Sequence, residues 1–433
     1  MHKWFIVSVV LLSAACARKE PEINFQASEA IKYFNTIDSI CNKDNGKLWG
    51  VNFSGPVMFV DRPSRRIFAS RPDREGLLRI KDGVWQGIFP RERIIENGPV
   101  EYGGEYYAMI PLPRQEDRYR IITMAVSALY RIYLKSNGFE PERFFIRYWD
   151  ERPSRVWLKL EYRALKKALQ SDREDLPGYL RDAIIFRSAR REQIRSSQAD
   201  ENRFEKYNGL SLFTSVILCN ETEEKANTRM IENIDFFYSL PSFSRSAGTI
   251  LGSVYAFLLY RNGFDIKGIS LNGGSIDSLA VSYFGLELPE ISRDVAGSLA
   301  IVYDVDAIYK EEEQRMTGIR ERVRRQLSKF TEKPVLTLEL ESPNFDFEPE
   351  DVRPLDTLGT IYNTLRVSDN WGKLTVEKGG CLLTDNLKTI RLGAKNIKES
   401  KNHINGDGWQ LILNGNWKVV KQDDNYSLRK TSF

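Results

Sequence analysis

Imidazole groups, which carry much of the hydrolytic chemistry that proteins perform near neutral pH, are almost absent from this chain. Of its 433 residues two are histidines, His2 and His403, and the first lies within the N-terminal fifteen residues. Without a pair of imidazoles, most zinc hydrolase and Ser/His/Asp chemistry is hard to build. His403 has no acid or nucleophile beside it in the sequence, so nothing in its neighbourhood indicates a catalytic role.

Glutamates are the remaining candidates for acid and base chemistry. Glu201 and Glu205 lie four residues apart on a predicted helix, so their carboxylates share one face. Together with Glu161 they form a candidate carboxylate cluster that could bind a cation or act as acid and base. The structural alternative is that Glu161 pairs with Arg131 or Arg163 and that Glu205 faces solvent. We favour the structural alternative because ion pairs are commoner than isolated acid and base sites.

The basic residues of the chain indicate no nucleic-acid partner. The sequence has 63 Lys and Arg residues against 59 Asp and Glu residues, and so small an excess leaves no strongly basic surface for a polyanion. The densest basic cluster comprises Arg187, Arg190, Arg191 and Arg195 at helical spacing. We expect this cluster to form a solvated helix face and not an anion site.

Other short motifs indicate structure and not chemistry. Cys41, Cys219 and Cys381 lack the Cys-x-x-Cys spacing of a metal site, and we expect neither a metal nor a cofactor. Gly248 and Gly252 form a Gly-x-x-x-Gly motif with no predicted strand before it. This context predicts close helix packing at the two glycines and not phosphate binding.

The N-terminal residues predict an export signal. The basic start His2-Lys3 precedes an apolar run from Trp4 to Leu12. This run is too short for a permanent transmembrane helix, which needs about 20 apolar residues. It is followed by small residues, which is typical of a cleaved secretory signal. The sequence therefore predicts a signal peptide over residues 1–15.

Cys16 is the candidate site of lipid attachment. A cysteine directly after the small residues Ala14 and Ala15 resembles the lipobox of bacterial lipoproteins, although Ser13 stands where leucine is usual. The resemblance implies a protein of the bacterial cell envelope that is anchored to a membrane through its N-terminal lipid, on the periplasmic or surface face. Residues 16–25 would form the lipidated tether. The alternative is an ordinary signal peptide that contains a cysteine.

Three regions follow the tether and together predict an α+β fold. Residues 26–116 combine one helix with short β-type runs and predict an N-terminal antiparallel β region. Residues 117–333 have helical periodicity almost throughout and predict a central all-helical body. Residues 334–433 return to alternating polarity and predict a small C-terminal all-β domain.

Shorter signals predict individual turns and helices within these regions. Asp82-Gly83 and Asn414-Gly415 each predict a hairpin turn between two strands. The predicted helices of the central body are 118–137, 154–171, 177–197, 200–219, 222–238, 245–262, 275–284 and 289–331.

Several segments in order along the chain carry a resemblance to a known family. They are Gly46 to Gly50 with Gly55-Pro56, Trp157 to Leu165, Glu201-Asn202 with Gly209-Leu210, and Leu358 to Tyr362 with Gly406 to Trp409. From about residue 40 to the C-terminus, the chain resembles an uncharacterised family of bacterial secreted or lipid-anchored proteins. Members of this family look like zinc metallopeptidases of the gluzincin type. The resemblance implies a metallopeptidase-like helical body.

The zinc motif that the resemblance implies is degenerate in this chain. In the family, His-Glu-x-x-His followed by Arg lies on the helix after the first β region, where the imidazoles bind zinc and the Glu deprotonates water. Here Val126 and Tyr130 stand in place of the imidazoles, and Ser127 stands in place of the base, while Arg131 is kept. Neither replacement supplies a neutral nitrogen ligand, and the serine hydroxyl does not ionise near neutral pH.

The remaining family positions are partly kept. The resemblance assigns Glu161 to the third, carboxylate ligand of zinc, with Glu205 as a weaker candidate for that role. Asn208 replaces a further glutamate of the family pattern. Val126, Ser127, Tyr130, Glu161, Glu201 and Glu205 would then line a vestigial cleft without catalytic residues. The scaffold is expected to persist while the metal site is lost, which is the pattern of a pseudoenzyme.

The leading functional hypothesis is a non-catalytic, metallopeptidase-like envelope lipoprotein with a binding or structural role. Its cleft could hold a peptide or glycan, and the partner could also be a protein. One alternative is a hydrolase that uses Glu161 and Glu205 as a carboxylate pair. Another is an interaction module that acts through the C-terminal β domain, which carries Trp371, Trp409 and Trp417.

Aromatic side chains near the predicted cleft have two interpretations. They are Phe144, Phe145, Tyr148, Trp149 and Trp157. They could contact a bound peptide or glycan. Core packing is the alternative, and we favour it.

Overall fold

A computed structural model gives the fold for residues 25–112, 117–139, 144–193, 198–271, 273–290, 292–332, 334–347, 352–355, 359–384 and 386–431. The predicted signal peptide and the predicted lipid attachment site, Cys16, lie outside these ranges. Within them, no helix has both the length and the apolar character needed to cross a bilayer. The chain divides into two compact units, the first ending at Tyr309 and the second beginning at Lys310.

The predicted α+β fold class is confirmed. A β region with one helix comes first, a helical body follows, and an all-β region ends the chain. The first two regions, which the sequence treats separately, belong to the same compact unit. They also share one continuous hydrophobic core.

The first unit begins with a helix and a six-stranded sheet. These elements are α1 Ala27–Asp44, β1 Val57–Asp61, β2 Arg66–Ala69, β3 Arg79–Lys81, β4 Val84–Ile88, β5 Gly98–Tyr102 and β6 Glu105–Leu112. The strand order is β3-β4-β2-β1-β6-β5, and β1 pairs with β6 in parallel, with Phe59 opposite Ile110. The prediction of a purely antiparallel region is therefore wrong at this pair. β6 pairs with β1 although four other strands come between them in the sequence, and local turn signals do not reveal such a pairing.

Alternating side chains on β1 place the sheet between two hydrophobic layers. Val57 and Phe59 pack into the main core with α1 and the helical body. Met58 and Val60 point to the other face and pack into a smaller cluster. All residues of β1 are buried, because both faces of this strand are covered by other side chains.

Helices fill most of the rest of the first unit. They are α2 Arg118–Ser136, α3 Arg152–Gln170, α4 Leu176–Gln193, α5 Gln198–Phe204, α6 Leu210–Cys219, α7 Glu223–Tyr238, α8 Ala247–Arg261, α9 Ile276–Phe284, α10 Ser292–Val302 and α11 Val305–Thr331, the last continuing into the second unit. A π turn, Glu205–Gly209, joins α5 to α6. The predicted helix over 289–331 is divided between α10 and α11, because Asp304 has a φ of +54° that no helix accommodates.

The second unit contains two sheets around a common core. Its strands are β7 Val335–Glu339, β8 Asn344–Asp346, β9 Val352–Pro354, β10 Thr360–Tyr362, β11 Leu365–Asp369, β12 Gly372–Val376, β13 Cys381–Leu383, β14 Thr389–Gly393, β15 Lys398–Ser400, β16 His403–Asn405, β17 Trp409–Leu413, β18 Trp417–Gln422 and β19 Asn425–Lys430. The sheet orders are β18-β19-β7-β14-β13-β10-β9 and β15-β16-β17-β12-β11-β8. Leu338 of β7 in the first of these sheets and Leu374 of β12 in the second both lie in the shared core.

The two predicted hairpin turns had different outcomes. Asp82 and Gly83 connect β3 to β4 with φ values of +51° and +80°, so this hairpin is confirmed. Asn414 and Gly415 do not form a hairpin, because β17 and β18 belong to different sheets. Both edges of β17 already pair, with β12 and β16, so the chain crosses to the other sheet.

Candidate functional site

The two positions that the family resemblance assigns to the imidazole ligands of zinc lie on α2, inside the hydrophobic core. Val126 is fully buried. Tyr130 is also fully buried, and its ring centroid lies 5.1 Å from that of Trp49 and 5.6 Å from that of Phe53. Its hydroxyl has no hydrogen-bond partner among the described residues, and burial raises its pKa well above the ordinary value. Both side chains therefore act as packing groups.

These side chains do not fit a zinc ion of the kind that the resemblance implies. Val126 has no atom that could bind zinc. The raised pKa keeps the phenolic proton on Tyr130, whereas a phenol must lose its proton to become a zinc ligand. Glu161, the implied third ligand, accepts hydrogen bonds at Oε1 from Arg187 and Tyr255. Within the described parts of the chain, no group of three or more His, Cys, Asp and Glu residues is arranged to hold a metal ion.

Glu161, Glu201 and Glu205 lie together in a buried network of charges. Arg187 joins two of them. Its Nε donates to Glu161 Oε1 over 2.7 Å, and its two Nη groups donate to the two carboxylate oxygens of Glu205 over 2.8 and 3.0 Å. Tyr255 of α8 donates its hydroxyl to the same Glu161 oxygen over 3.0 Å. The network thus links α3, α4, α8 and the π turn.

Glu201 forms the other half of this network. Arg190 donates to both of its carboxylate oxygens, and Arg191 Nε donates to Oε2 over 2.7 Å. The indole nitrogen of Trp149 donates to Oε1 over 3.0 Å. Asp277, in the first turn of α9, completes the network through an ion pair of 2.6 Å with Arg191. Every carboxyl group of the network therefore faces at least one guanidinium group.

Two sequence predictions about these residues are wrong. Arg187 and Arg190 are 0% and 1% exposed, so they do not belong to a solvated helix face. Glu205 is buried as well and does not face solvent. Glu161 pairs with an arginine, as expected, but not with either arginine that the sequence suggested. Residues 183–186 are apolar and directly precede Arg187, and this signal of a buried helix could have revealed the network.

The charges of the network are not balanced. Three guanidinium groups face four carboxyl groups. Burial opposes the charged form of Glu201, but the attraction of its arginine partners lowers its pKa. For Glu205, burial outweighs the attraction of Arg187, and repulsion by Asp277 adds to it, so its pKa is raised to about 7. A proton held near neutral pH in this network therefore belongs to Glu205.

This geometry counts against a hydrolase that uses Glu161 and Glu205. Both side chains are fully buried and both bind Arg187, so neither carboxylate faces an open cleft. A carboxylate pair of the glycosidase type needs two carboxyl groups that substrate and water can reach. The network instead connects helices of the first unit through charge-assisted hydrogen bonds.

A cavity of about 420 Å³ lies beside another face of α2. Ser127, Arg131 and Asn208, three positions that the family resemblance singles out, line this cavity together. Ser127 donates its hydroxyl to the carbonyl oxygen of Ser211 over 3.0 Å, so its proton is already engaged. The volume is within the range of small-ligand sites in proteins. We call this space the α2 cavity.

The sequence did not predict most of the α2 cavity. Asn97 comes from the loop before β5, Arg120 comes from the first turn of α2, and Phe236 comes from α7. These segments meet through tertiary packing, and no local pattern joins them. A larger concavity, about 780 Å³, lies in the second unit between α11, β13 and β14, but no residue that the sequence connects with chemistry lines it.

Most aromatic candidates for ligand contacts pack inside the molecule. Trp149 is fully buried, and Phe144 stacks on Phe204 with ring centroids 5.0 Å apart. Phe145, by contrast, is 57% exposed. In the second unit Trp371 is 1% exposed and donates to a backbone carbonyl, so it cannot serve a binding face.

The residues singled out by the family resemblance thus divide among three places. Val126 and Tyr130 lie in the core, Glu161 lies in the buried network, and Ser127 and Arg131 line the α2 cavity. Comparisons with protein-family models, with curated proteins and with solved structures give no match. The arrangement of residues within this chain is therefore the basis for a functional conclusion.

Proposed function

We propose that this chain is a lipid-anchored protein of the bacterial cell envelope whose metallopeptidase-like helical body lacks catalytic zinc and binds a ligand in the α2 cavity. The observation that carries this proposal is the division of one helix between two environments. The positions of the implied zinc ligands, Val126 and Tyr130, are core residues, whereas Ser127 and Arg131 of the same helix line the cavity.

The chemistry around the cavity supports binding over catalysis. Its described lining includes no histidine and no cysteine. The hydroxyl of Ser127 donates to a backbone carbonyl, so no adjacent group prepares it as a nucleophile. The carboxylates that could have served as bases, Glu161 and Glu205, are bound by Arg187 in the network.

The composition of the cavity wall also supports a ligand site. Polar groups of Asn208 and Thr249 face the same space as the rings of Phe236 and Phe237. Small-molecule sites combine apolar walls with a few polar groups in this way. The anchor at Cys16 would hold the helical body beside a membrane, where ligands of the cell envelope are concentrated.

The proposal is tested by comparing the wild-type protein from the membrane fraction with a Cys16→Ser variant. We expect the wild type to carry a lipid that mass spectrometry detects and the variant to lose both the lipid and its membrane fractionation. Zinc analysis of both forms, with and without added zinc, is expected to give far less than one zinc per chain. Stoichiometric tight zinc, or zinc-dependent cleavage of a fluorogenic peptide library, would overturn the proposal, and an unlipidated wild type would overturn the anchor.

A further inference from the structure

Arg131 differs from the buried arginines of the first unit, because its side chain is partly exposed and lines the α2 cavity. Arg155, Arg187 and Arg190 each form an ion pair with a carboxylate. Arg131 forms neither an ion pair nor a hydrogen bond with any described residue, and its Nε is buried without a partner. Its guanidinium lies over the ring of Tyr207, 5.6 Å from the centroid. Because an arginine keeps its charge, a guanidinium that lies in a cavity wall without a carboxylate partner among the described residues is a site where an anion can bind.

A second polar group without a partner lines the same cavity. The side-chain oxygen Oδ1 of Asn97 is buried and accepts no hydrogen bond from the part of the chain that the structure describes. The loop that carries Asn97 runs beside Arg131, since a Cβ atom built on Gly98 would lie 3.9 Å from Arg131 Nη1. Among the described residues, the cavity therefore has a guanidinium without a carboxylate partner, on Arg131, and an amide oxygen without a hydrogen-bond donor, on Asn97.

We propose that the α2 cavity binds the C-terminal residue of a peptide, or an N-acylated amino acid, through its carboxylate and its amide. The inference rests on the proposed binding function of this cavity. The ligand carboxylate binds Arg131 in the paired geometry that guanidinium and carboxylate groups prefer. The neighbouring amide N–H donates to Asn97 Oδ1. The side chain of the same ligand residue packs against Phe236 and Phe237, which form the apolar part of the wall.

Hydrogen bonding selects an N-acylated carboxylate for this site over a phosphate. Asp117 and Glu232 also line the cavity, together with Arg120 and Arg229. Glu232 is paired with Arg229 at 2.6 Å, whereas Asp117 accepts a hydrogen bond from the backbone at the start of α2. The charges of the wall therefore do not separate the two kinds of anion. The distinction comes from the amide donor that Asn97 requires, which simple phosphates lack.

The test measures binding of small probes to the full mature chain by calorimetry. The probes are N-acetyl-phenylalanine, its carboxamide N-acetyl-phenylalaninamide, phenyl phosphate and inorganic phosphate. We expect N-acetyl-phenylalanine to bind, and the carboxamide to bind at least about tenfold more weakly because it lacks the charge that Arg131 pairs with. Arg131→Met is expected to weaken binding of the carboxylate probe by about 30-fold or more.

A matched variant and a stability measurement separate binding from folding. Arg118→Met removes the same charge from an exposed position of α2 outside the cavity, and we expect it to leave binding unchanged. Arg131→Met is expected to unfold at the same or a higher temperature than the wild type, because it removes a charged group whose Nε is buried without a hydrogen-bond partner among the described residues. A purely structural role of Arg131 would lower that temperature.

Three results would overturn the inference. They are equal binding of the acid and its carboxamide, unchanged binding by Arg131→Met, and tighter binding of phenyl phosphate than of the carboxylate probe. Failure of all probes to bind would also overturn it. None of these results bears on the zinc analysis or the lipid on Cys16, so the proposed function can stand if the ligand class is wrong.

Discussion

The charge of the buried network depends on pH, because individual carboxyl groups in it bind a proton at different pH values. Glu205 holds a proton up to about pH 7 because burial and Asp277 oppose its ionisation more than Arg187 favours it. Glu201 behaves in the opposite way, since its arginine partners lower its pKa despite burial. The pKa values of two glutamates one helical turn apart are therefore shifted in opposite directions.

We predict that the first unit is more stable near pH 5 than near pH 8 because of Glu205. An unfolded glutamate loses its proton near its ordinary pKa of 4.5, whereas folded Glu205 keeps it up to about pH 7. Between these values the folded chain binds more protons, so stability rises as the pH falls toward 4.5 and is lost as the pH rises through 7. The contribution is on the order of 2 to 3 kcal/mol. Urea unfolding at pH 5, 6, 7 and 8 measures it.

Glu205→Gln provides the decisive comparison for this prediction. The variant cannot titrate, so its stability should change by half as much as that of the wild type, or less, between pH 8 and pH 5. Glu174→Gln, at an exposed position, serves as the control and should follow the wild type. A Glu205→Gln variant with the full wild-type pH dependence would show that another group is responsible.

The sequence predicts the residue types of the network better than their partners. That Glu161 pairs with an arginine follows from the cost of leaving a carboxylate unpaired in a folded protein. That the arginine is Arg187 does not follow, because it lies on a separate helix and its approach depends on how α3 and α4 pack. Arg131, which the sequence offers as a partner of Glu161, has no carboxylate partner among the described residues.

At the scale of secondary structure elements, glycines allow α8 to touch the segment that carries the network. A Cβ atom on Gly252 would lie 2.5 Å from the carbonyl oxygen of Glu205, and one on Gly248 would lie 2.6 Å from the ring of Phe204. Gly209, at the end of the π turn, is equally close to the backbone of Gly252. The predicted close packing of the Gly-x-x-x-Gly motif is thus confirmed, and it sets the distance between α8 and the π turn.

We predict that Gly252→Ala destabilises the first unit by about 2 kcal/mol or more, although alanine is the better helix former. The new methyl group would meet backbone atoms of the π turn, which cannot move without disturbing Glu205. Gly297→Ala, at an exposed position of α10 with open space around it, should instead stabilise the protein by up to about 1 kcal/mol. Thermal unfolding of both variants measures the difference, and equal effects would contradict the packing argument.

Helices are more predictable from this sequence than pairings between strands. Helical periodicity gave the helices from 118 onward with bounds close to those observed, because that periodicity is local. It did not reveal the π turn, nor the break at Asp304, which one left-handed residue produces. The parallel pair of β1 with β6 and the crossing after Asn414 depend on which strand edges are already occupied, and local turn signals contain no such information.

At the scale of the whole molecule, each of the two units has a main hydrophobic core of its own among the described residues. The core of the first unit includes Leu251 of α8 and extends from α1 and the sheet through the helical body. The core of the second unit includes Leu374 of β12 and is enclosed by its two sheets. The sequence separated residues 26–116 from residues 117–333, and only the three-dimensional structure showed that the N-terminal sheet and the helices share one core.

We predict that the protein unfolds in two transitions, one for each core. Leu251→Ala should lower the first unit's transition, and Leu374→Ala should lower that of the second unit, because each removes a fully buried side chain from one core. Each substitution should cost about 2 to 5 kcal/mol in its own unit. Calorimetry of the two variants against the wild type provides the measurement, and each variant is the control for the other. If one substitution shifted both transitions equally, the cores would have to unfold as a single cooperative body, contrary to their separation.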